Sequence, residues 1–231
     1  MLVALLFLCM ACGGAGSDAP GNGGAGSGGA AADPADPVAG SASDGDGPVR
    51  IVFLGDSLTA GFGLEQEQAF PARVAERLEA AGHEVTVINA GTSGDTTAGG
   101  ADRIDWLLRQ SPDIVVLALG GNDGLRGLDL EMTERNLRRI VERSQAAEAQ
   151  VLMAGMMMPP NYGPDYTERF RALFPRVAGD LEVPLIPFLL EGVGGVPELN
   201  MPDGIHPTAE GHRKLADNVM PYLEPLVRDL R

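Results

Sequence analysis

Three residues that together perform acyl transfer in other settings are spread along this chain of 231 residues: Ser57, Asp203 and His206. Ser57 follows an apolar stretch and a Gly-Asp pair, which places its hydroxyl at a strand-to-helix turn. A serine hydroxyl is a weak nucleophile at neutral pH and needs an adjacent base. Of three histidines, His83 falls in the turn before the second strand and His212 on the polar face of the last helix, which leaves His206 as the candidate base. Asp203 precedes it by three positions, in a loop stiffened by Pro202 and Pro207 and free to turn at Gly204. The Asp203 carboxylate can then accept the imidazole Nδ1–H and leave Nε2 facing Ser57. Negative charge developing on an acyl oxygen needs donors, and the candidates are the Ser57 N–H, the Gly94 N–H and the side-chain amide of Asn122 in GGND. Each group also has a plainer reading. Ser57 could cap a helix or its glycines cradle a phosphate, Asn122 could be a turn residue, and Asp203 with His206 a surface pair opening a helix. No GxSxG elbow and no GxxxxGK[ST] loop occurs in the sequence. No second histidine or carboxylate stands at ligand spacing from Asp203 and His206, so no metal is expected, and no cofactor is implied because every step of such acyl transfer uses protein groups and water.

These residues need a frame that brings distant segments together. Short apolar runs at residues 49–54, 84–89, 113–119, 150–155 and 183–187 read as buried strands. Segments of helical period lie between them at 71–81, 101–110, 133–149 and 166–181, and a last helix over 208–226 is expected to break near Pro221. Such alternation implies an α/β fold, a three-layer α/β/α sandwich around a five-stranded parallel sheet. Chemistry in such sheets collects at the carboxyl ends of the strands. GDSLTAGFG, AGTSGDT, GGNDG, MMMPPNYGPDY and PDGIHP all fall at that edge.

Taken together, Ser57 in GDSL, Gly94 in SGDTT, Asn122 in GGND and His206 in DGIHP resemble the SGNH (GDSL-type) hydrolase family, in family order over residues 50–210. The longer strings GDSLTAGFGL, NAGTSGDTTAGG, GGNDGLRG, PPNYGPDY and DGIHPTAEGH look like its arylesterase, thioesterase I and lysophospholipase L1 branch. The resemblance implies a flavodoxin-like hydrolase domain and a serine esterase. Ser57 would be the nucleophile, His206 the base, Asp203 the orienting acid, and Ser57, Gly94 and Asn122 the oxyanion donors. It implies an ester or thioester substrate, acyl or aryl, whose acyl groove would be lined by Leu125, Met158, Pro159 and Tyr162. A carbohydrate O-acetylesterase on the same fold, and an inactive lipid-anchored binding module, are the alternatives.

The rest of the chain bounds where such an enzyme works. With 17 Lys+Arg against 32 Asp+Glu, a net charge of −15 and Lys214 as the sole lysine, a nucleic-acid partner is excluded. Residues 1–12 are an apolar run too short to span a bilayer as a helix, and read as a signal peptide whose end at Cys12 resembles the lipobox of bacterial lipoproteins. Residues 13–48 contain only Gly, Ala, Ser, Pro and Asp besides Asn22 and Val38, and read as a disordered tether ahead of a hydrolase domain at 49–231. The expected location is therefore a membrane-anchored lipoprotein facing the periplasm or cell exterior of a bacterium. Both cysteines, Cys9 and Cys12, lie in the leader, which leaves the domain without a thiol.

Overall fold

The computed structural model describes residues 47–231. The expected signal peptide, the expected lipidation at Cys12 and all but the last two residues of the expected tether lie outside the described residues. Five parallel strands, β1 (Val49–Gly55), β2 (Val85–Gly91), β3 (Ile114–Ala118), β4 (Gln150–Ala154) and β5 (Leu185–Ile186), form one sheet in the order β2-β1-β3-β4-β5. Because β1 pairs in register with β2 on one side and β3 on the other, chain progression reverses between β1 and β3. A crevice opens outside the carboxyl ends at such a point. Seven helices accompany the sheet: α1 (Ser57–Ala60), α2 (Phe70–Ala80), α3 (Thr97–Leu108), α4 (Gly121–Leu125), α5 (Leu130–Ala146), α6 (Pro164–Asp180) and α7 (Ala209–Asp229). The crossovers send α2 to one face and α3, α5 and α6 to the other, and α7 joins α2. The three-layer sandwich expected from the β-α alternation is the observed one.

The core explains the order of the layers. β3 is buried along its whole length, as a central strand covered on both faces must be. Phe53 of β1 meets Phe70 of α2 edge to face at 5.6 Å, and α2 buries Phe70, Val74 and Leu78 at four-residue spacing. On the other face α5 buries Leu137, Ile140, Val141 and Ser144 behind an Asp129 cap that accepts the Met132 N–H at 2.7 Å.

Several expectations are corrected. The last helix does not break at Pro221: α7 runs unbroken through Pro221 and Pro225. Pro221 is exposed, so the carbonyl that loses its donor faces water, while Leu215, Val219, Leu223 and Val227 hold the opposite side to the core. His212 is not on a polar face. It is 1% exposed, its ring stacks on Phe70 at 6.3 Å, and its Nδ1 accepts the Phe70 N–H at 3.1 Å. α3 starts four residues earlier than its apolar period suggests, because Gly99 and Gly100 make close contacts where they read as loop residues. A Cβ on Gly100 would lie 2.2 Å from Leu119. β5 has only two residues, since Pro184 and Pro187 on either side have no N–H to give a ladder.

The edge of the sheet away from the crevice is built from repeated corners. The crossover helices α2, α3, α5 and α6 end, respectively, before Gly82 (φ 90°), Ser111 (φ 49°), Glu148 (φ 61°) and Glu182 (φ 53°), all left-handed. In three of them the next residue closes the helix by donating five residues back: His83 to Leu78, Ala149 to Ser144 and Val183 to Ala178, at 2.9–3.0 Å. After Ser111 stands Pro112, which has no N–H to donate.

Candidate active site

β1 ends at Gly55, and Asp56 turns the chain into α1 with its Oδ1 accepting the Leu58 N–H at 3.0 Å. This turn sets Ser57 at the first position of α1, 9% exposed and at the floor of the crevice. Its Oγ lies 3.0 Å from Nε2 of His206, a residue 149 positions away in the chain. The His206 loop is closed by its own backbone. Met201 N–H donates to the His206 carbonyl at 2.7 Å, Thr208 N–H to the Leu199 carbonyl at 2.9 Å, and Asn200 pairs with Pro207. Asn200 anchors this loop to the one before it by donating its amide to the carbonyls of Val193 and Val196 at 2.7 and 2.8 Å.

Within that loop Asp203 Oδ2 stands 2.7 Å from His206 Nδ1, while Oδ1 accepts the N–H groups of Ile205 and His206 at 2.9 and 3.0 Å. The His206 N–H, the His206 ring and the Ile205 N–H together hold the Asp203 carboxyl down at about 2. A carboxylate so held accepts from Nδ1, which fixes the proton there and turns the bare Nε2 lone pair toward Ser57. The Phe62 ring lies 4.3 Å from the imidazole at 31° and covers its outer face, though Phe62 is itself 47% exposed.

α4 supplies Asn122. Its side-chain amide donates to the Asp95 carbonyl at 2.9 Å and to Asp56 Oδ2 at 3.2 Å. Burial pushes the Asp56 carboxyl up to about 6, against the Leu58 N–H, which lowers it. Gly94 sits in the turn after β2 in a left-handed conformation (φ 80°), and its carbonyl accepts from Arg126 at 2.8 Å.

A cavity of about 500 Å³ opens beside Ser57, Asn122 and His206. Its walls are chiefly apolar and include Leu125, Met156, Met158, Pro159, Phe188 and Leu190. Of the four residues expected to line an acyl groove, Leu125, Met158 and Pro159 line it. Tyr162 stands behind the wall and donates its hydroxyl to the Leu125 carbonyl at 3.0 Å. Gly94 is not among the lining residues; it adjoins Asp95, on which the Asn122 amide rests. Asp56, Phe62, Phe188 and Leu190 were not singled out by sequence reasoning. Phe188 and Leu190 carried a usable signal, since they leave β5 at the same sheet edge as every other cluster. Asp56 carried one as the polar half of Gly-Asp-Ser, whereas nothing in the spacing of Phe62 points to an imidazole far along the chain.

The arrangement can draw a proton off the Ser57 hydroxyl and place the resulting alkoxide next to an apolar cleft. Comparison with known proteins agrees in kind. A model of the GDSL-like lipase/acylhydrolase family matches residues 53–214. Esterase TesA of Pseudomonas aeruginosa is 43% identical over 178 residues, 77% of this chain and 89% of its own. The thioesterase 1/protease 1/lysophospholipase L1 of Escherichia coli K12 is 40% identical over 178 residues, 77% of this chain and 84% of its own. Among solved structures, TesA superposes with a TM-score of 0.75, covering 77% of this chain and 99% of its own at 43% identity. The psychrotrophic esterase EstA of Pseudoalteromonas does so at 0.74, covering 78% and 99% at 32% identity.

Proposed function

The chain belongs to the GDSL-like lipase/acylhydrolase family, and from that premise we propose that it cleaves acyl esters or thioesters through an acyl-enzyme on Ser57. It is a carboxylic ester hydrolase, similar to proteins named esterase, thioesterase and arylesterase. The observation that carries the finer reading is the unbroken relay from Ser57 Oγ through His206 to Asp203, at 3.0 and 2.7 Å. Nε2 of His206 takes the hydroxyl proton as Oγ attacks the carbonyl carbon, and Asp203 balances the charge that the ring acquires. The oxyanion is met by the Ser57 and Gly94 N–H groups and by the Asn122 amide, which exchanges its longer bond to Asp56 for it. His206 returns the proton to the leaving oxygen or sulfur, and water, deprotonated by the same ring, then releases the acid.

The cavity walls favour an apolar acyl chain. The hydroxyls of an acetylated sugar would meet Met, Pro and Leu side chains that offer no partners, a costly burial. Ser57→Ala is expected to abolish hydrolysis of p-nitrophenyl esters and labelling by a fluorophosphonate. Asn122→Ala is expected to keep a residue of activity, reduced about 10²–10³-fold in kcat, as for loss of one oxyanion donor. Turnover by a folded Ser57→Ala protein removes the assignment. A panel of acetyl, butyryl, octanoyl and palmitoyl esters then ranks the acyl preference, and an optimum at acetyl removes the acyl-chain reading.

The leader supports export and lipidation at Cys12, giving an enzyme held at a bacterial membrane. Labelled fatty acid is expected in the wild-type chain produced in such a host. Labelling that persists in Cys12→Ala counts against the anchor.

A further inference from the structure

We propose that Arg103 is a positioning residue for the oxyanion donors, acting through Asp95. The inference rests on the reading of Asn122 and Gly94 given above. Arg103 projects from α3 with its side chain 24% exposed, and its guanidinium reaches three different segments. Nη2 donates to the Gly55 carbonyl at 2.9 Å, two residues before Ser57. Nη1 donates to the Ala90 carbonyl near the end of β2 at 2.7 Å, and Nε to Asp95 Oδ2 at 2.9 Å. The planar fork of an arginine is the one side chain that can hold three such acceptors at fixed angles.

The sheet does not depend on these bonds. Leu54 is already in register with Ala90, and Gly55 with Gly91, by strand pairing. What the two carbonyls provide is a rigid seat for the guanidinium, and the seat's product is the place of Asp95. The other bond of the Asp95 carboxylate is local, Oδ1 accepting the Thr96 N–H at 3.0 Å. The Asp95 carbonyl is the shorter of the two supports of the Asn122 amide, and Gly94 is its neighbour in the chain. If Asp95 drifts, the amide is left to the Asp56 carboxylate and turns from the oxyanion position, while the Gly94 N–H moves with the loop.

The opposite side of the Asp95 carboxylate is closed by Gly99. A Cβ there would lie 1.9 Å from Oδ1 and 2.9 Å from Cγ. The carboxylate is therefore held between Arg103 and a glycine, and adding a methyl group at Gly99 should dislodge it as surely as removing the guanidinium.

The test compares Arg103→Gln, Arg103→Lys and Gly99→Ala in the full chain, with Arg138→Gln as a control that removes an arginine from a surface network with Glu134 and Asp180. With p-nitrophenyl octanoate, the first three are expected to lose on the order of 100-fold in kcat while KM stays within about threefold, the mark of lost transition-state binding. Inhibition by octyl trifluoromethyl ketone, whose serine adduct carries a negative oxygen, should weaken by a similar factor. Arg138→Gln should lower Tm and leave kcat and inhibitor binding unchanged. Arg103→Lys keeps the charge but cannot seat on three acceptors, so it should fall with Arg103→Gln. If Arg103→Gln does not fold, Arg103→Lys and Gly99→Ala decide. A kcat within about threefold of wild type in those two, or a kcat loss without weaker ketone binding, overturns the proposal. Activity in Ser57→Ala would instead overturn the underlying reading of the site.

Discussion

Two buried titratable side chains beside the site carry opposite liabilities, and neither role was legible in the sequence. His212 accepts the Phe70 N–H through Nδ1, and burial, followed by the charge of His206, brings its ring down from 6.5 to about 4. Between those values the unfolded chain is protonated and the folded one is not, so this contribution to stability is lost as pH falls from 6.5 through 4. Asp56 is raised by burial from 3.8 to about 6, so the folded chain keeps a proton that the unfolded one has released, and its contribution is lost as pH rises from 3.8 to 6. Each shift corresponds to about 3 kcal/mol, and over the shared window they oppose one another. Asp56→Asn should expose the histidine slope, with the urea midpoint falling on acidification from pH 6.5 to 4. His212→Gln should expose the reverse. Parallel profiles for both variants would contradict the assignment. The GDS and DGIH motifs made Ser57, Asp203 and His206 readable because chemistry restricts those residue types. Asp56 was passed over and His212 was misplaced on a polar face because the burial of each is set by neighbours contributed from elsewhere in the chain, which polarity patterns do not record.

At the scale of elements, strand positions were legible to within about two residues for β1 to β4 from their apolar runs, although β2, expected to be buried, is an edge strand and only half-buried. The ends were less so where tertiary contacts override propensity, as at Gly99 and Gly100 in α3 and Pro221 in α7. The left-handed corners are the instructive case. Of four equivalent positions only Gly82 carries the residue that the conformation favours; Ser111, Glu148 and Glu182 are exposed residues held there by the strand that follows. A left-handed L-residue costs roughly 1–2 kcal/mol, and glycine returns part of this through the greater freedom of its unfolded chain. Glu148→Gly and Glu182→Gly are each expected to stabilise the fold by about 0.5–1 kcal/mol, read as a higher urea midpoint. Ester turnover should be unchanged, because these corners lie at the edge of the sheet opposite Ser57. A lower midpoint in both would show that the side chains contribute more than the backbone conformation costs.

On the scale of the whole molecule, every strand of the sheet and every residue of the proposed relay falls within the described 185 residues from Gly47 to Arg231. A chain beginning at Gly47 is accordingly expected to keep the kcat/KM of the full-length protein toward a soluble ester, and a loss beyond about tenfold would assign the leader a part in catalysis. The order in which the chain is made adds a constraint of timing. Ser57 is made first and its partner His206 comes 149 residues later, ahead of the helix whose buried face holds the imidazole loop in place. At roughly 5–20 residues per second, a ribosome adds that interval in about 7–30 s. Throughout it the nascent chain holds a serine with no base. Ester-cleaving capacity therefore cannot arise before His206 has been made, and a chain interrupted between the two residues carries the proposed nucleophile without its base.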